Sequence, residues 1–298
     1  MRRGAARPRI IVFVAVLLLA PMLIAGTLQI GTTSETPGQE FKTFSPLAAY
    51  LGKELQAEGI TSAQVVVGRS LSESAKLIRD AKIDLYIDSP FPSLAVSHFS
   101  GSKLLVRRWK NGVGEYHSII FTRADSGIGR LENLHKKVLG FETPYSSSAF
   151  FLPKMVLLQK GFKLMPMDDP SGAVERGKVG YTFTGDDENT MLWVLRGKVS
   201  AGVLDNQAYA QLAGENLYQL HIIHRSFSIP RQLVSYRANL PSRLVAKIKD
   251  ILIGMEQSAE GNKSLHDFER TTKFDEIPAP LMVPIRRSWK LIEADVAK

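Results

Sequence analysis

A strand that ends in hydroxyl residues and turns directly into a helix constrains this chain more than any other feature. Val138-Leu139-Gly140-Phe141 is an apolar run that stops at Glu142-Thr143-Pro144-Tyr145. Ser146, Ser147 and Ser148 follow, and a helical pattern runs from Phe150 to about Gln159. The first N–H groups of a helix have no partner inside it and carry partial positive charge, so they attract anions. Serine hydroxyls add short neutral donors at the same place. Such a turn can hold an oxyanion without Lys or Arg. One serine suffices for a simple helix cap; three in a row admit both readings.

The same strand-then-helix rhythm recurs on either side. Thr27–Ile30 reads as a strand ending at Gly31-Thr32-Thr33-Ser34, and Phe44–Leu55 has helical periodicity with Pro46 near its start. Gln64–Val67 reads as a strand, Ser72–Asp80 as a helix and Ile83–Ile87 as a strand, and Ser89-Pro90 opens another helix. The rhythm restarts near Tyr116. Tyr116–Thr122, Val138–Phe141, Val179–Phe183 and Ala201–Asp205 are expected strands, with helices over 150–160 and 189–196; Leu240–Met255 and Asn262–Arg270 are helical near the end. Strands alternating with helices imply an α/β sheet that binds ligands at the carboxyl ends of its strands. Absence of any low-complexity linker fits two lobes joined by more than one crossing segment.

Arg2, Arg3, Arg7 and Arg9 precede an apolar run from Ile10 to Leu19 and a small residue at Ala25. A basic start, a short apolar core and a small residue form a secretory signal. Cleavage is expected after Ala25; an uncleaved anchor is the alternative. Removing that segment takes four positive charges and no acid from a chain of formal charge +9. The rest is mildly basic, with no stripe or motif of a nucleic-acid binder. The chain contains no cysteine, which excludes disulfides, zinc–thiolate sites, thiol nucleophiles and lipidated anchors.

Catalytic signatures are missing: no nucleophile elbow, P-loop, H-E-x-x-H or dinucleotide fingerprint. Asp186, Asp187 and Glu188 suit either a cationic ligand group or the start of a helix. His221 and His224 face opposite sides of an ideal strand, a poor metal pair. Tyr116 follows the Gly112 and Gly114 turn and suits a hinge or a pocket wall, and Ser89 caps a helix at a strand's carboxyl end.

Four segments in order resemble the PhnD-like phosphate/phosphite/phosphonate solute-binding proteins of ABC transporters. They are Leu28-Gln29-Ile30-Gly31 with Ser45–Leu51; Ile83-Asp84-Leu85 with Ser89-Pro90; Tyr116-His117-Ser118 with Asp125–Ile128; and Ser146-Ser147-Ser148-Ala149 with Phe151-Leu152-Pro153. The resemblance implies a two-lobed type 2 periplasmic binding fold in the α/β class, each lobe a mixed sheet flanked by helices, with the ligand cleft between them. Lobe one is expected over 26–117 and 221–298, lobe two over 118–220. Ser146, Ser147 and Ser148 match the family's anion-holding loop, Tyr116 its hinge tyrosine and Asp205 its acid near the return crossing. Where the family has Gly-Ser-His-Asp, this chain has Gly185-Asp186-Asp187-Glu188, so an acid replaces a possible phosphate donor. The implied role is a periplasmic receptor, without cofactor or catalysis, passing a small oxyanion to an inner-membrane permease; the alternative is a sensory receptor signalling to a membrane kinase or cyclase. If the serines face an open cleft, Ser147→Ala should weaken binding and spare stability, because water replaces the lost contact in the empty site.

Overall fold

The computed structural model describes residues 26–293, so the expected signal segment at 1–25 lies outside the described residues. The described residues open with a strand, β1 (Gly26–Thr33), where Leu28 and Ile30 are fully buried and alternate with half-exposed Thr27 and Gln29. β1 lies between β2 (Ile60–Gly68) and β3 (Leu85–Asp88), parallel to both. Helices α1 (Pro37–Glu54) and α2 (Leu71–Arg79) make the crossovers, and α3 (Pro90–Ser100) follows β3. Helix α1 starts two turns earlier than expected. Pro37 sits at its first turn, where a missing N–H costs nothing, and Pro46 falls inside. The Pro46 carbonyl accepts a hydrogen bond from Ser264 Oγ at 3.0 Å.

After β4 (Lys103–Lys110) the chain crosses to the second lobe through β5 (Glu115–Tyr116). There β6 (Ser118–Arg123), β7 (Val138–Phe141), β8 (Lys163–Pro166), β9 (Lys178–Phe183), β10 (Ala201–Asp205) and β11 (Leu220–Arg225) form a six-stranded sheet in the order β11-β6-β10-β7-β9-β8. Helices α4 (Leu152–Gln159), α5 (Asp187–Leu195) and α6 (Asn206–Ala213) flank it. The chain returns through β12 (Ile229–Pro230), which pairs antiparallel with β5. Then β13 (Gln232–Tyr236) and β14 (Thr271–Asp275) complete the first sheet, in the order β14-β4-β13-β3-β1-β2, while α7 (Ser242–Gly254), α8 (Ala259–Asp267) and α9 (Ala279–Ser288) close the molecule. Both sheets are mixed. The return expected at residue 221 falls inside β11, which pairs with β6. The strand pairing holds the chain in the second sheet up to Arg225.

The paired crossings β5 and β12 are locked from both sides. Arg231 N–H donates to the Gly114 carbonyl at 2.7 Å. Gly114 lies so close to the Trp109 ring that a Cβ there would sit 2.5 Å from it. A side chain at 114 would therefore push the aromatic ring or the crossing strand aside.

The lobes also share apolar contact. Phe91 and Ala95 of α3 belong to one buried cluster with Phe151, Leu152 and Met155 of the second lobe, and with Met282 and Ile285 of α9. The Phe91 and Phe151 rings stack at 5.7 Å with 26° between planes. Both are buried. Truncating one of them removes its transfer free energy and leaves a cavity at the seam between lobes. Phe151→Ala is expected to lower the unfolding free energy by about 3–5 kcal/mol, read from the midpoint and slope of a denaturant titration.

Candidate ligand cleft

The carboxyl ends of strands from both sheets open onto one cavity of about 290 Å³. All seven residues expected from the sequence line it: Ser89, Tyr116, Ser146, Ser147, Ser148, Asp187 and Asp205. Asp88, Lys110, Glu142, Thr143, Tyr145, Arg231 and Gln232 complete the wall. Neither His221 nor His224 is among the lining residues.

The three serines have three different situations. Ser146 is the helix cap: its Oγ accepts the Ala149 N–H at 3.1 Å. The turn it caps is not α-helical. Residues Ser147–Phe151 form a π-turn, with Phe151 N–H bonded to the Ser146 carbonyl at 3.0 Å and Leu152 N–H to the Ser147 carbonyl. Pro153 explains the wide turn. It has no N–H to offer a carbonyl one turn back, and its ring would crowd that carbonyl in a regular α-helix. The Ser148 carbonyl would then need a donor from position 153, which cannot supply one. The hydroxyl of Ser118, fully buried on β6, fills the gap and donates to that carbonyl. The helix expected from Phe150 thus begins three residues earlier, in a register the sequence pattern does not show.

Ser147 departs from the expectation of an open cleft hydroxyl. It is 1% exposed. Its Oγ accepts the Phe91 N–H of α3 at 2.9 Å and donates to Ser89 Oγ at 2.8 Å. Since Phe91 and Ser89 belong to the first lobe, Ser147 ties one lobe to the other, and its proton is already spent. Ser89, having accepted that proton, keeps its own to donate. It donates that proton to Asp88 Oδ1 in a long bond of 3.4 Å.

The acids share the cavity with the serines. Asp186 caps α5 by accepting Asn189 N–H at 2.6 Å, which frees Asp187, one residue on, to face the cleft. Burial, reinforced by Glu142, Asp205 and Glu188 and opposed by Arg231, pushes the Asp187 carboxyl up to about 8. Burial also raises Glu142, with Ser146 opposing and Asp205 adding to the rise. Asp88 is pushed by burial to about 7, despite hydrogen bonds from Tyr86 Oη at 2.8 Å and Ser89 N–H at 2.7 Å. Asp205 caps α6 through Oδ1, accepting from Gln207 and Ala208 at 2.7 and 3.0 Å. Its Oδ2 meets Arg231 at 3.1 Å. The Arg231 guanidinium lies over the Tyr116 ring, 4.4 Å from its centroid, and burial raises the Tyr116 phenol. The cleft therefore combines hydroxyl and amide donors with three carboxyls that interact with one another, Glu142, Asp187 and Asp205, and Glu142 is bonded to Ser146 of the serine turn.

Sequence reasoning did not single out Arg231 or Lys110 as site residues. No local pattern marks them, because each reaches the cleft through strand pairing across long sequence separations. Glu142 and Asp88 had a signal: each stands at a strand's carboxyl end beside an expected site residue.

Residues 30–279 match the family described as ABC transporter, phosphonate, periplasmic substrate-binding protein. This chain belongs to that family. Family membership makes it a periplasmic binding protein of an ABC transporter, with the permease as its implied partner. Solved structures agree in fold. The Xanthomonas citri protein XAC2383, solved with chloride, superposes with a TM-score of 0.81 at 21% identity over 91% of this chain and 97% of its own. A binding protein component of an ABC phosphonate transporter from Pseudomonas aeruginosa gives 0.64 at 20% identity, covering 92% and 88%. PhnD1 from Prochlorococcus marinus, solved with methylphosphonate, gives 0.65 at 15% identity, covering 89% and 98%. The two-lobed type 2 periplasmic binding fold is common to this group.

The position of Ser147 changes what its removal should do. Ser147→Ala leaves the buried Phe91 N–H without an acceptor, which costs about 1–3 kcal/mol. The empty protein should melt at a lower temperature by differential scanning calorimetry, while Ser146→Ala should cost about 1 kcal/mol from its cap and also release Glu142 from its bond to that hydroxyl. An unchanged melting temperature for Ser147→Ala would show that its hydroxyl is not held by α3.

Proposed function

We propose that the cleft receives a small zwitterion, a phosphonate-type oxyanion carrying an ammonium group, and that the protein delivers it from the periplasm to the permease. The observation that carries this reading is the cluster of Glu142, Asp187 and Asp205 in the same cavity as the Ser89 hydroxyl and the serine turn. A simple oxyanion would face these carboxyls. An ammonium group there turns like-charge repulsion into charge-assisted hydrogen bonds. The oxyanion end is supported by the Ser89 hydroxyl, whose bond to Asp88 Oδ1 is long at 3.4 Å and open to exchange for a ligand, and by the Ser147 and Ser148 amides that lead the turn. The mature protein, starting near Gly26, binds its ligand between two lobes that rotate about the paired β5 and β12 crossings, with the Phe91–Phe151 contact as the seam.

The raised Asp187 carboxyl makes the two ligand classes separable by pH. In the empty cleft Asp187 holds its proton below about pH 8. An ammonium ligand needs the ionised form, so binding must expel that proton. Affinity should then rise by up to about tenfold per pH unit as pH climbs toward 8, and level off above it. An oxyanion without an amine has the opposite sign: a protonated Asp187 can donate to it, and affinity falls as pH passes 8. Isothermal titration calorimetry with aminoethylphosphonate and with methylphosphonate, between about pH 6 and pH 9, decides between them. Asp187→His should shift preference toward methylphosphonate. If methylphosphonate binds the parent more tightly than its aminated counterpart at every pH, the zwitterion reading is wrong.

A further inference from the structure

Glu269 stands outside the cleft, yet its carboxylate holds one group of the cleft wall, Lys110, and reaches a second, Gln232, through Arg108. Oε1 takes the Lys110 ammonium at 2.9 Å, and Oε2 takes Arg108 at 2.9 Å. Arg108 is fully buried. It lies 3.9 Å over the Phe268 ring and donates to Thr271 Oγ1 at 2.7 Å, to the Phe268 carbonyl at 3.0 Å and to Gln232 Oε1. Lys110 and Gln232 line the ligand cavity; Glu269 and Arg108 do not. The backbone makes an unusual concession to keep Glu269 there. Glu269 and Arg270 are consecutive non-glycine residues in the left-handed region, with φ of 49° and 50°. Such conformations persist where the surroundings over-determine them. Here the Arg270 carbonyl accepts the Asn111 N–H at 3.0 Å, so the turn is pinned directly beside Lys110.

A lysine ammonium is a compact charge on a flexible four-carbon stem. In a cavity that also contains Glu142, Asp187 and Asp205, an unrestrained Lys110 would be drawn to those acids. Its charge already reaches Glu142, whose ionised form it favours. Among the described residues, however, the ion pair of Lys110 is with Glu269, and none joins it to the three acids. We infer that Glu269 is a specificity-determining positioning residue: it tethers Lys110 to the first lobe and so keeps the acid cluster open for the ammonium group of a ligand. This rests on the zwitterion reading of the cleft. Without the tether, Lys110 becomes an internal competitor for the same carboxylates. A ligand with an amine then loses affinity, whereas an oxyanion without one loses nothing.

The test compares aminoethylphosphonate and methylphosphonate by calorimetry on wild type, Glu269→Gln and the double variant Glu269→Gln/Lys110→Met. The single variant should lose about tenfold in affinity for the aminated compound and none for methylphosphonate. The double variant should recover the aminated ligand to within about twofold of wild type. Equal losses for both compounds, or no recovery in the double variant, overturn the proposal. Because the buried Arg108 also leans on Glu269, a second measurement uses the wild-type protein alone. Acetylation by an amine-selective reagent, followed by mass spectrometry, should modify Lys110 at least about tenfold more slowly than exposed Lys163. Similar rates at the two lysines would mean that Lys110 is not tethered. If wild type takes no aminated ligand, the zwitterion reading fails by itself, and the labelling ratio still decides whether the tether exists.

Discussion

The guanidinium of Arg231 lies over the Tyr116 ring and reaches Asp205, while its own backbone N–H closes the pairing of the two crossing strands. Few residues here act on so many levels at once. Through its main chain Arg231 belongs to the hinge, and through its side chain it is the fixed cation among the cleft's carboxyls. It is only 8% exposed, so its charge is little screened by water. A buried cation of this kind is tolerable because each face has a partner: an aromatic ring below, a carboxylate ahead. The rest of the cleft is arranged around it. Asp205 is taken by Arg231 and by the first amides of α6, which leaves Glu142 and Asp187 with the less satisfied charges.

That imbalance has a thermodynamic direction. Asp187 binds its proton more tightly in the folded protein than an ordinary carboxyl does. Between the usual carboxyl range and about pH 8 the folded state therefore holds more protons than the unfolded one, and the empty protein loses stability as pH rises through that window. A bound cation reverses the sign by stabilising the ionised form. A receptor built this way is least comfortable when empty, and the strain is concentrated where the ligand sits.

The sequence showed much of this and missed the rest for identifiable reasons. Strands β1, β3, β7, β9 and β10 were legible because β-branched or apolar runs stop at hydroxyl or acidic turns. Ser89 and the three serines were legible because ligands in such sheets lie at strand carboxyl ends, whereas Asp205 and the hinge place of Tyr116 came from the family resemblance. Strands β4, β13 and β14 were not read. They are antiparallel insertions whose partners lie far away in the chain, as in the pairing of Lys110 with Thr271. For the same reason Arg231 and Glu269 carry no local mark. The role of Ser147 was misjudged for a different reason: its partners, Ser89 and Phe91, come from a helix that only the closed tertiary structure brings near. The π-turn at Ser147–Phe151 was invisible to periodicity, although Pro153 stood in plain view as the residue that makes it necessary.

The strand order of the first sheet carries one more consequence. Strand β13 lies between β3 and β4, yet it is made only after the whole second sheet has passed. As the chain emerges from its N-terminus, β3 and β4 have no direct contact as neighbours, and each shows a bare edge where β13 will go. The second sheet, drawn from one uninterrupted stretch, can assemble while the first is still waiting. The nascent first lobe is thus an open clasp, and the chain beyond Arg225 is what shuts it.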